Sequence, residues 1–163
     1  MKKMMTAALI GAAIATSGVA YSQQPASATF RVTATVVPMC EVRASDLNFG
    51  QYSAQATAQL NADTALTVMC TPQTSYDVGL TEGTSPGATV NQRKMVSGSN
   101  TLNYQLYRDS GRTQVWGNTK GTDMVAGVGT GLDQNLTVFG GVPAQQSIPA
   151  GSYADTITVR IYY

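Results

Sequence analysis

Histidine is absent from this chain of 163 residues, and only 12% of its residues are charged. Histidine is the commonest general base in enzymes and the commonest metal ligand, so its absence argues against both kinds of site. Beyond the first three residues the only lysines are Lys94 and Lys120, and the carboxylates stand singly among turn residues. Asp in a turn usually bonds its own backbone. We therefore expect no enzyme activity, no metal site and no cofactor.

Charge of either sign is too scarce to form a binding surface for nucleic acid or anionic lipid. Without Lys2 and Lys3, eight basic residues face nine acidic ones, a net charge of −1. No basic cluster stands out, which argues against nucleic acid as a partner. Near-neutral surfaces with few charges associate readily, as expected of a protein that packs beside copies of itself.

Long apolar runs are confined to the N-terminus, where residues 1–22 have the layout of a secretory signal peptide. Met1, Lys2 and Lys3 are followed by a mostly apolar, uncharged run at residues 6–20, and Ala20 and Ser22 have the spacing of a cleavage site. A membrane anchor is the alternative, but this run is shorter than the roughly 20 residues that a spanning helix needs. Cleavage after Ser22 leaves 141 residues, enough for one domain; cleavage after Ala20 or Ala28 is the alternative. We expect export, with no membrane insertion of the mature chain.

Cysteine is also scarce, and the two that are present, Cys40 and Cys70, are predicted to form a disulfide. An even number of cysteines in an exported protein is typical of a disulfide. Two isolated cysteines without histidine cannot make an ordinary zinc site, and their spacing is too long for a redox C-x-x-C pair. Closing a loop of this length stabilises a fold by roughly 3–4 kcal/mol in the chain-entropy model.

Short alternating runs of β-branched and aromatic residues, separated by turn residues, predict about seven strands in an antiparallel β-sandwich. The glycine-rich residues 127–131 open no helix and lack a phosphate-binding lysine, so they are predicted to be a flexible loop. Residues 115–117 are predicted to lie in or beside a fifth strand. The alternating positions of the other six strands are Phe30, Val32, Ala34 and Val36; Leu66, Val68 and Cys70; Tyr76, Val78 and Leu80; Leu102, Tyr104 and Leu106; Leu136 and Val138; and Ile157, Val159 and Ile161.

Several short motifs, in this order, resemble the spore coat protein U domain family, which includes pilin subunits of archaic chaperone–usher pili. The pieces are FRV at 30–32 before Cys40, LNFGQY at 47–52, VMC at 68–70, RKM at 93–95, LNYQLY at 102–107, VWG at 115–117 and GSYADTITV at 151–159. Each motif is weak alone. Their order, between a signal peptide and a terminal strand, is specific.

The resemblance implies an incomplete immunoglobulin-like sandwich that lacks its final strand and is completed by a donor strand from another molecule. A periplasmic chaperone would fill the gap first, and at an outer-membrane usher the N-terminal segment of the next pilin would replace it, a form of β-augmentation. The implied donor segment is residues 23–37, with Phe30, Val32, Ala34 and Val36 as its apolar positions, ahead of a pilin domain at 38–163. Because the subunit's own first strand is also expected before Cys40, the two must share residues 23–39.

The resemblance also implies that the C-terminal strand pairs with the chaperone through Ile157, Val159, Ile161 and Tyr163, with the Tyr163 carboxylate held by basic residues. On sequence pattern alone, an ordinary strand of the sheet is the favoured interpretation, and a docking surface is the alternative.

The leading functional hypothesis is a structural pilus subunit, exported through the periplasm to the cell surface, that supports adhesion and biofilm formation. One alternative is a spore or cell-surface coat protein of the same fold. A third hypothesis is a secreted lectin-like module that stacks sugars on Trp116 and nearby tyrosines, although a lone Trp in a sandwich is more often part of the core.

Overall fold

The computed structural model describes Gly18 and residues 22–163, so the predicted signal peptide lies almost wholly outside the described residues. The chain divides into two units, Met1–Thr35 and Val36–Tyr163. In the first unit, the described residues form neither helix nor strand and are exposed. No helix in the described part of the chain is long and apolar enough to cross a membrane.

Antiparallel β-sheet makes up the second unit. The strands are β1 (Cys40–Ala44), β2 (Leu60–Cys70), β3 (Ser75–Leu80), β4 (Arg93–Ser97), β5 (Asn100–Tyr107), β6 (Val125–Val128), β7 (Gln134–Val142) and β8 (Val159–Tyr162). One sheet has the order β1-β2-β7-β5-β4, and the other has the order β6-β3-β8. Alternate residues of each strand face a core shared by the two sheets, so the predicted all-β antiparallel sandwich is confirmed.

The core takes one side chain from every second position of the facing strands. On β2, Leu66, Val68 and Cys70 are at most 2% exposed. The same side of the other strands continues this layer with Tyr76, Val78, Leu80, Leu102, Tyr104, Leu106, Val138 and Val142. Except for Val142, these are the positions that the alternating sequence pattern predicts.

Trp116 belongs to this core. Its side chain is buried, and its indole N–H donates a hydrogen bond of 2.9 Å to the carbonyl oxygen of Val78. A ring enclosed in this way has no free face for a sugar. The lectin-like hypothesis therefore loses the residue on which it depends.

The strand prediction is wrong at both ends of the sandwich. The first strand begins at Cys40 and not before it, because residues 28–37 alternate in sequence but form no sheet hydrogen bonds in the structure. The last strand begins at Val159 and not at Thr156. Just before it, the carbonyl oxygen of Thr158 accepts the N–H of Thr81, but the N–H of Thr158 donates to the side-chain oxygen of Thr81 and not to a backbone carbonyl.

Two short strands have no clear alternating pattern and were not predicted, β4 and β6. Gly127 and Val128 lie in β6, so the prediction of a loop at 127–131 is wrong for these two residues. These residues form a strand because they pair with β3, although glycine by itself weakens a strand. Val115, in contrast, forms a single bridge to Tyr107 rather than a strand.

A fully buried arginine ties the two sheets together. Arg93 is 0% exposed, and burial lowers the pKa of its guanidinium. Its N–H groups donate to Gln105 Oε1 at 2.7 Å and to four carbonyl oxygens, those of Leu80, Thr81, Val90 and Trp116, at 2.8–3.2 Å. A buried charge is tolerated only where its hydrogen bonds are satisfied, so this cluster fixes how the end of β3 meets β4 and β5.

A disulfide joins Cys40 of β1 to Cys70 of β2, and the two residues lie directly opposite each other in the sheet. The bridge closes a loop with a sequence separation of 30. It therefore anchors the edge strand β1 to the body of the sandwich.

We predict that material purified from an oxidising compartment without reductant contains no free thiol, as measured by alkylation and mass spectrometry. Cys40→Ser should lower the free energy of unfolding by about 2–5 kcal/mol and reduce the yield of protein, because the unfolded chain regains loop entropy. Met39→Ser, at an exposed neighbouring position, is the control and should change yield little. Two alkylated cysteines in the wild-type protein would contradict the prediction.

Candidate functional site: an open apolar groove

The two sheets are not joined along the side on which β1 and β8 lie. Within the described residues each of these strands is the last of its sheet, so each has one edge without a strand partner there. The two strands contact each other, and a groove of about 1240 Å³ opens beside them, between the segment that follows β1 and the segment that precedes β8. Its floor is the core itself: Leu66, Leu80, Leu102, Leu106, Val138 and Val142.

One wall of the groove is residues 45–52, which follow β1. Leu47 and Phe49 lie over Gly140 of β7, where a Cβ would come within 2.7 Å of Leu47 Cδ2 and 2.8 Å of Phe49 Cζ. The Tyr52 hydroxyl donates to the carbonyl oxygen of Pro143 at 3.0 Å. Glycine at position 140 therefore lets this wall approach the sheet, and Tyr52 holds its far end.

The opposite wall is the segment before β8, and Asp155 fixes its position. One carboxylate oxygen accepts the N–H and hydroxyl of Thr84 at 2.9 and 3.1 Å and the N–H of Thr156 at 2.8 Å. The other accepts the hydroxyl of Tyr104 at 2.7 Å. Gly83 lies so close that a Cβ there would overlap the carboxylate.

Burial and the hydrogen bond to Asp155 raise the pKa of Tyr104 well above its ordinary value of 10.0. The tyrosine therefore keeps its proton and remains a donor through the neutral and mildly alkaline range. Its ring also packs edge-on against Phe49 of the other wall, with 6.2 Å between ring centroids. Tyr104 thus contacts both walls from the floor.

The chemistry of the groove suits an uncharged, apolar strand. Of the residues that the structure describes, Asp46 and Asp155 are the only charged ones that line it, and Asp155 is fully engaged in the hydrogen bonds just described. Among the described residues, no group of three or more His, Cys, Asp or Glu could hold a metal ion. The arrangement offers an apolar floor between two walls of irregular backbone, beside the edges of β1 and β8.

The structure places the sequence-predicted residues in two groups. Ile157 and Val159 line the groove, Ile161 packs against the core, and Tyr163 is 59% exposed. The implied donor residues Phe30, Val32 and Val36 are each more than 80% exposed, and Ala34 is exposed as well. These four lie in a segment without sheet structure.

Several groove residues were missed by the sequence analysis, notably Leu47, Phe49, Ile148 and Tyr153. They are partly buried apolar side chains in irregular segments. The signal that could have found them is the spacing of Leu47, Phe49 and Gly50-Gln51-Tyr52, in which large apolar residues recur within turn-like sequence.

Comparison with known proteins gives a consistent result. The Spore Coat Protein U domain family matches residues 26–160. Protein U of Myxococcus xanthus is 35% identical over 128 residues, which cover 72% of this chain and 71% of that protein.

Among solved structures, the crystal structure of the CsuC–CsuE chaperone–tip adhesion subunit pre-assembly complex, from archaic chaperone–usher Csu pili of Acinetobacter baumannii, contains a similar chain. The TM-score is 0.61 at 28% identity, and the match covers 79% of this chain but only 40% of that one. This likeness confirms the immunoglobulin-like sandwich. The E. coli Hda pilus minor tip subunit HdaB gives a TM-score of 0.40 at 13% identity over 74% of this chain and 79% of that one.

We predict that Tyr104→Phe weakens the alkaline loss of stability. In the wild type, the unfolded state loses the tyrosine proton near pH 10 while the folded state retains it, so the contribution of Tyr104 to stability is constant below about pH 10 and falls as the pH rises further. Removing the hydroxyl removes this contribution. Tyr76, whose pKa is also raised by burial, still contributes a fall in stability at alkaline pH in both proteins. The urea unfolding midpoint as a function of pH measures this, and equal slopes in both proteins would contradict it.

Proposed function

The chain belongs to the Spore Coat Protein U domain family, and from this we propose that it is a structural subunit of a surface pilus that supports adhesion and biofilm formation. The observation that carries the proposal is the groove, since an apolar floor beside the unpaired edges of β1 and β8 favours an added strand. The added strand comes from another molecule by donor-strand exchange, which makes the groove an assembly site and not a catalytic one.

The exposed N-terminal segment, residues 23–37, has the pattern that such a donor requires. Phe30, Val32, Ala34 and Val36 recur at every second position, so all four would face the same groove floor if the segment were extended. Their exposure in a single chain is what a strand destined for a neighbour requires. Each large apolar side chain that enters the groove contributes roughly 1.5–3 kcal/mol. Repeating this contact head to tail builds an open filament.

A periplasmic chaperone is proposed to occupy the groove before assembly. A strand from the chaperone would pair with the free edge of β8, as Ile157, Val159 and Ile161 keep their side chains toward the core. Tyr163 lies just beyond β8 and is exposed, so it is available to basic residues of the chaperone. The solved CsuC–CsuE complex supports this step because it is named as a chaperone–subunit pre-assembly complex. An outer-membrane usher would then exchange the strands.

A coat protein of the same fold is the second candidate, favoured by the 35% identity to Protein U. The two candidates differ in polymerisation. A pilus subunit exchanges its chaperone for another copy and forms filaments, whereas a coat protein would reach the surface without an usher-built fibre.

We predict that deletion of Tyr162 and Tyr163 abolishes capture by the chaperone, because it removes the end of β8 and the group that the chaperone holds. Co-expression followed by co-purification measures this, with a one-to-one soluble complex expected for the wild type. Tyr162→Phe is the control and should bind normally. Secretion and assembly of the deletion variant at the wild-type level would show that this terminus is ordinary sheet.

We predict that Val32→Asp subunits fold and bind the chaperone but do not polymerise, because each joint would bury an unpaired carboxylate. Thr33→Asp is the matched control: it adds the same charge one residue later, on the side of the donor that faces solvent. It should leave polymerisation largely intact.

Polymer length by electron microscopy and subunit yield in the chaperone complex are the two readouts. Degradation of the Val32→Asp subunit would instead place Val32 in the subunit's own fold. Normally stable filaments of Val32→Asp would remove this segment from the joint altogether.

A further inference from the structure

One end of the sandwich carries exposed apolar side chains that the groove does not use. The Cys40–Cys70 disulfide marks this end, where the carbonyl oxygen of Met39 accepts the N–H of Thr71 at 2.9 Å and Gly131 donates to Cys70 at 3.0 Å. Around it, Leu132 is 72% exposed, Met39 67%, Val37 64% and Val128 54%. We call these four residues the disulfide-end surface.

We propose that the disulfide-end surface packs against the body of the next copy of the chain in the polymer, and that the contact partner is the opposite end of that copy, around residues 147–152. This inference rests on the proposed function. It adds a second, body-to-body contact to the donor-strand joint.

The short connection between donor and sandwich forces this contact. Met39 is held to the sandwich, since its N–H donates to Thr71 Oγ1 at 3.1 Å and its carbonyl oxygen accepts the N–H of Thr71. If Val36 fills a neighbour's groove, only Val37 and Pro38 are free. The three steps from the Cα of Val36 to the Cα of Met39 span at most about 11 Å. Pro38 restricts the backbone of this connection further. The neighbour's body must therefore lie against the disulfide end.

The direction of the donor decides which end of the neighbour is met. β8 runs toward the disulfide end, because Val159 pairs with Leu80 and Tyr162 pairs with Asp77, nearer the start of β3. If the donor ran parallel to β8, its C-terminal end, which connects to its own sandwich, would leave the groove at the neighbour's disulfide end. The neighbour's own N-terminal segment leaves from that same end. A head-to-tail repeat therefore requires a donor antiparallel to β8, which emerges at the opposite end.

The opposite end of the groove is chemically suited to an apolar partner. Residues 147–152 carry no charge, and Pro149 and Ala150 are exposed. The segment has a fixed shape, since the Tyr153 hydroxyl donates to the carbonyl oxygen of Pro149 at 2.9 Å. At the disulfide end, the nearby charges Arg43 and Asp133 pair with each other at 2.7 Å, so neither needs a partner on the neighbouring copy.

Photo-crosslinking in assembled polymers tests the contact. The probe p-benzoylphenylalanine replaces Leu132 in one protein and Lys120 in a matched control, an exposed position in another loop. A third protein carries it in place of Phe30 to report the donor joint. Position 132 should crosslink to residues 147–152 of the next copy, with a yield several-fold above that of position 120.

Each of the remaining outcomes would contradict the body contact, its partner surface or the proposed function. Polymers in which position 30 crosslinks to the groove, but position 132 gives no more product than position 120, would overturn the body contact and leave the donor joint standing. Crosslinks from position 132 to the neighbour's disulfide end, or to the chaperone alone, would overturn the assigned partner surface. Absence of polymers, or no crosslink from position 30, would overturn the proposed function as well.

A second variant tests how the contact affects the angle between consecutive subunits. Leu132→Ser should polymerise as the wild type does but show a wider spread of angles between consecutive subunits in electron micrographs, because the joint is left to the donor strand alone. Lys120→Ser should keep the wild-type spread. Equal spreads for all three proteins would overturn the contact.

Discussion

An open groove between the segment that follows β1 and the segment that precedes β8 is the constraint on which the rest of the molecule depends. The two sheets share a core whose floor, from Leu66 to Val142, lies beneath a gap without a strand. The floor residues themselves are buried, but Leu47, Ile157 and Val159 above them are only partly buried. Water is a poor occupant for the space that they border, because apolar area in contact with water is unfavourable. A strand that brings both backbone hydrogen bonds and alternating apolar side chains satisfies the edges and the floor together.

The sandwich holds this gap open because its walls are anchored elsewhere. Asp155 bonds one wall to Thr84 and Tyr104, and the other wall rests on Gly140 through Leu47 and Phe49. Behind them, Arg93 satisfies four carbonyl groups and Gln105 within the core, and the disulfide ties β1 to β2. These interactions do not involve a donor strand, so the groove is shaped before it is filled.

Alternation along the chain predicted the sandwich and most of its core, because inward positions on paired strands repeat every second residue. The prediction failed where a segment becomes a strand only by pairing with another segment or another molecule. The alternation from Phe30 to Val36 identifies a strand-forming sequence but cannot say which molecule supplies the other strands. Gly127 and Val128 have no strand pattern of their own and are ordered by pairing with β3. The groove walls were missed because Leu47 and Tyr153 are buried from irregular segments, which have no period to detect.

Moving the donor within one molecule tests the central claim most directly. In a fusion that lacks residues 29–37 at the N-terminus and carries them after Tyr163 on a flexible linker, the segment can enter the chain's own groove antiparallel to β8. The account predicts a monomer that unfolds cooperatively and does not polymerise, with several kcal/mol more stability than the same chain without the appended segment. The same fusion with Val32→Asp should lose most of this gain. A fusion whose urea unfolding midpoint equals that of the chain without the segment would contradict the account.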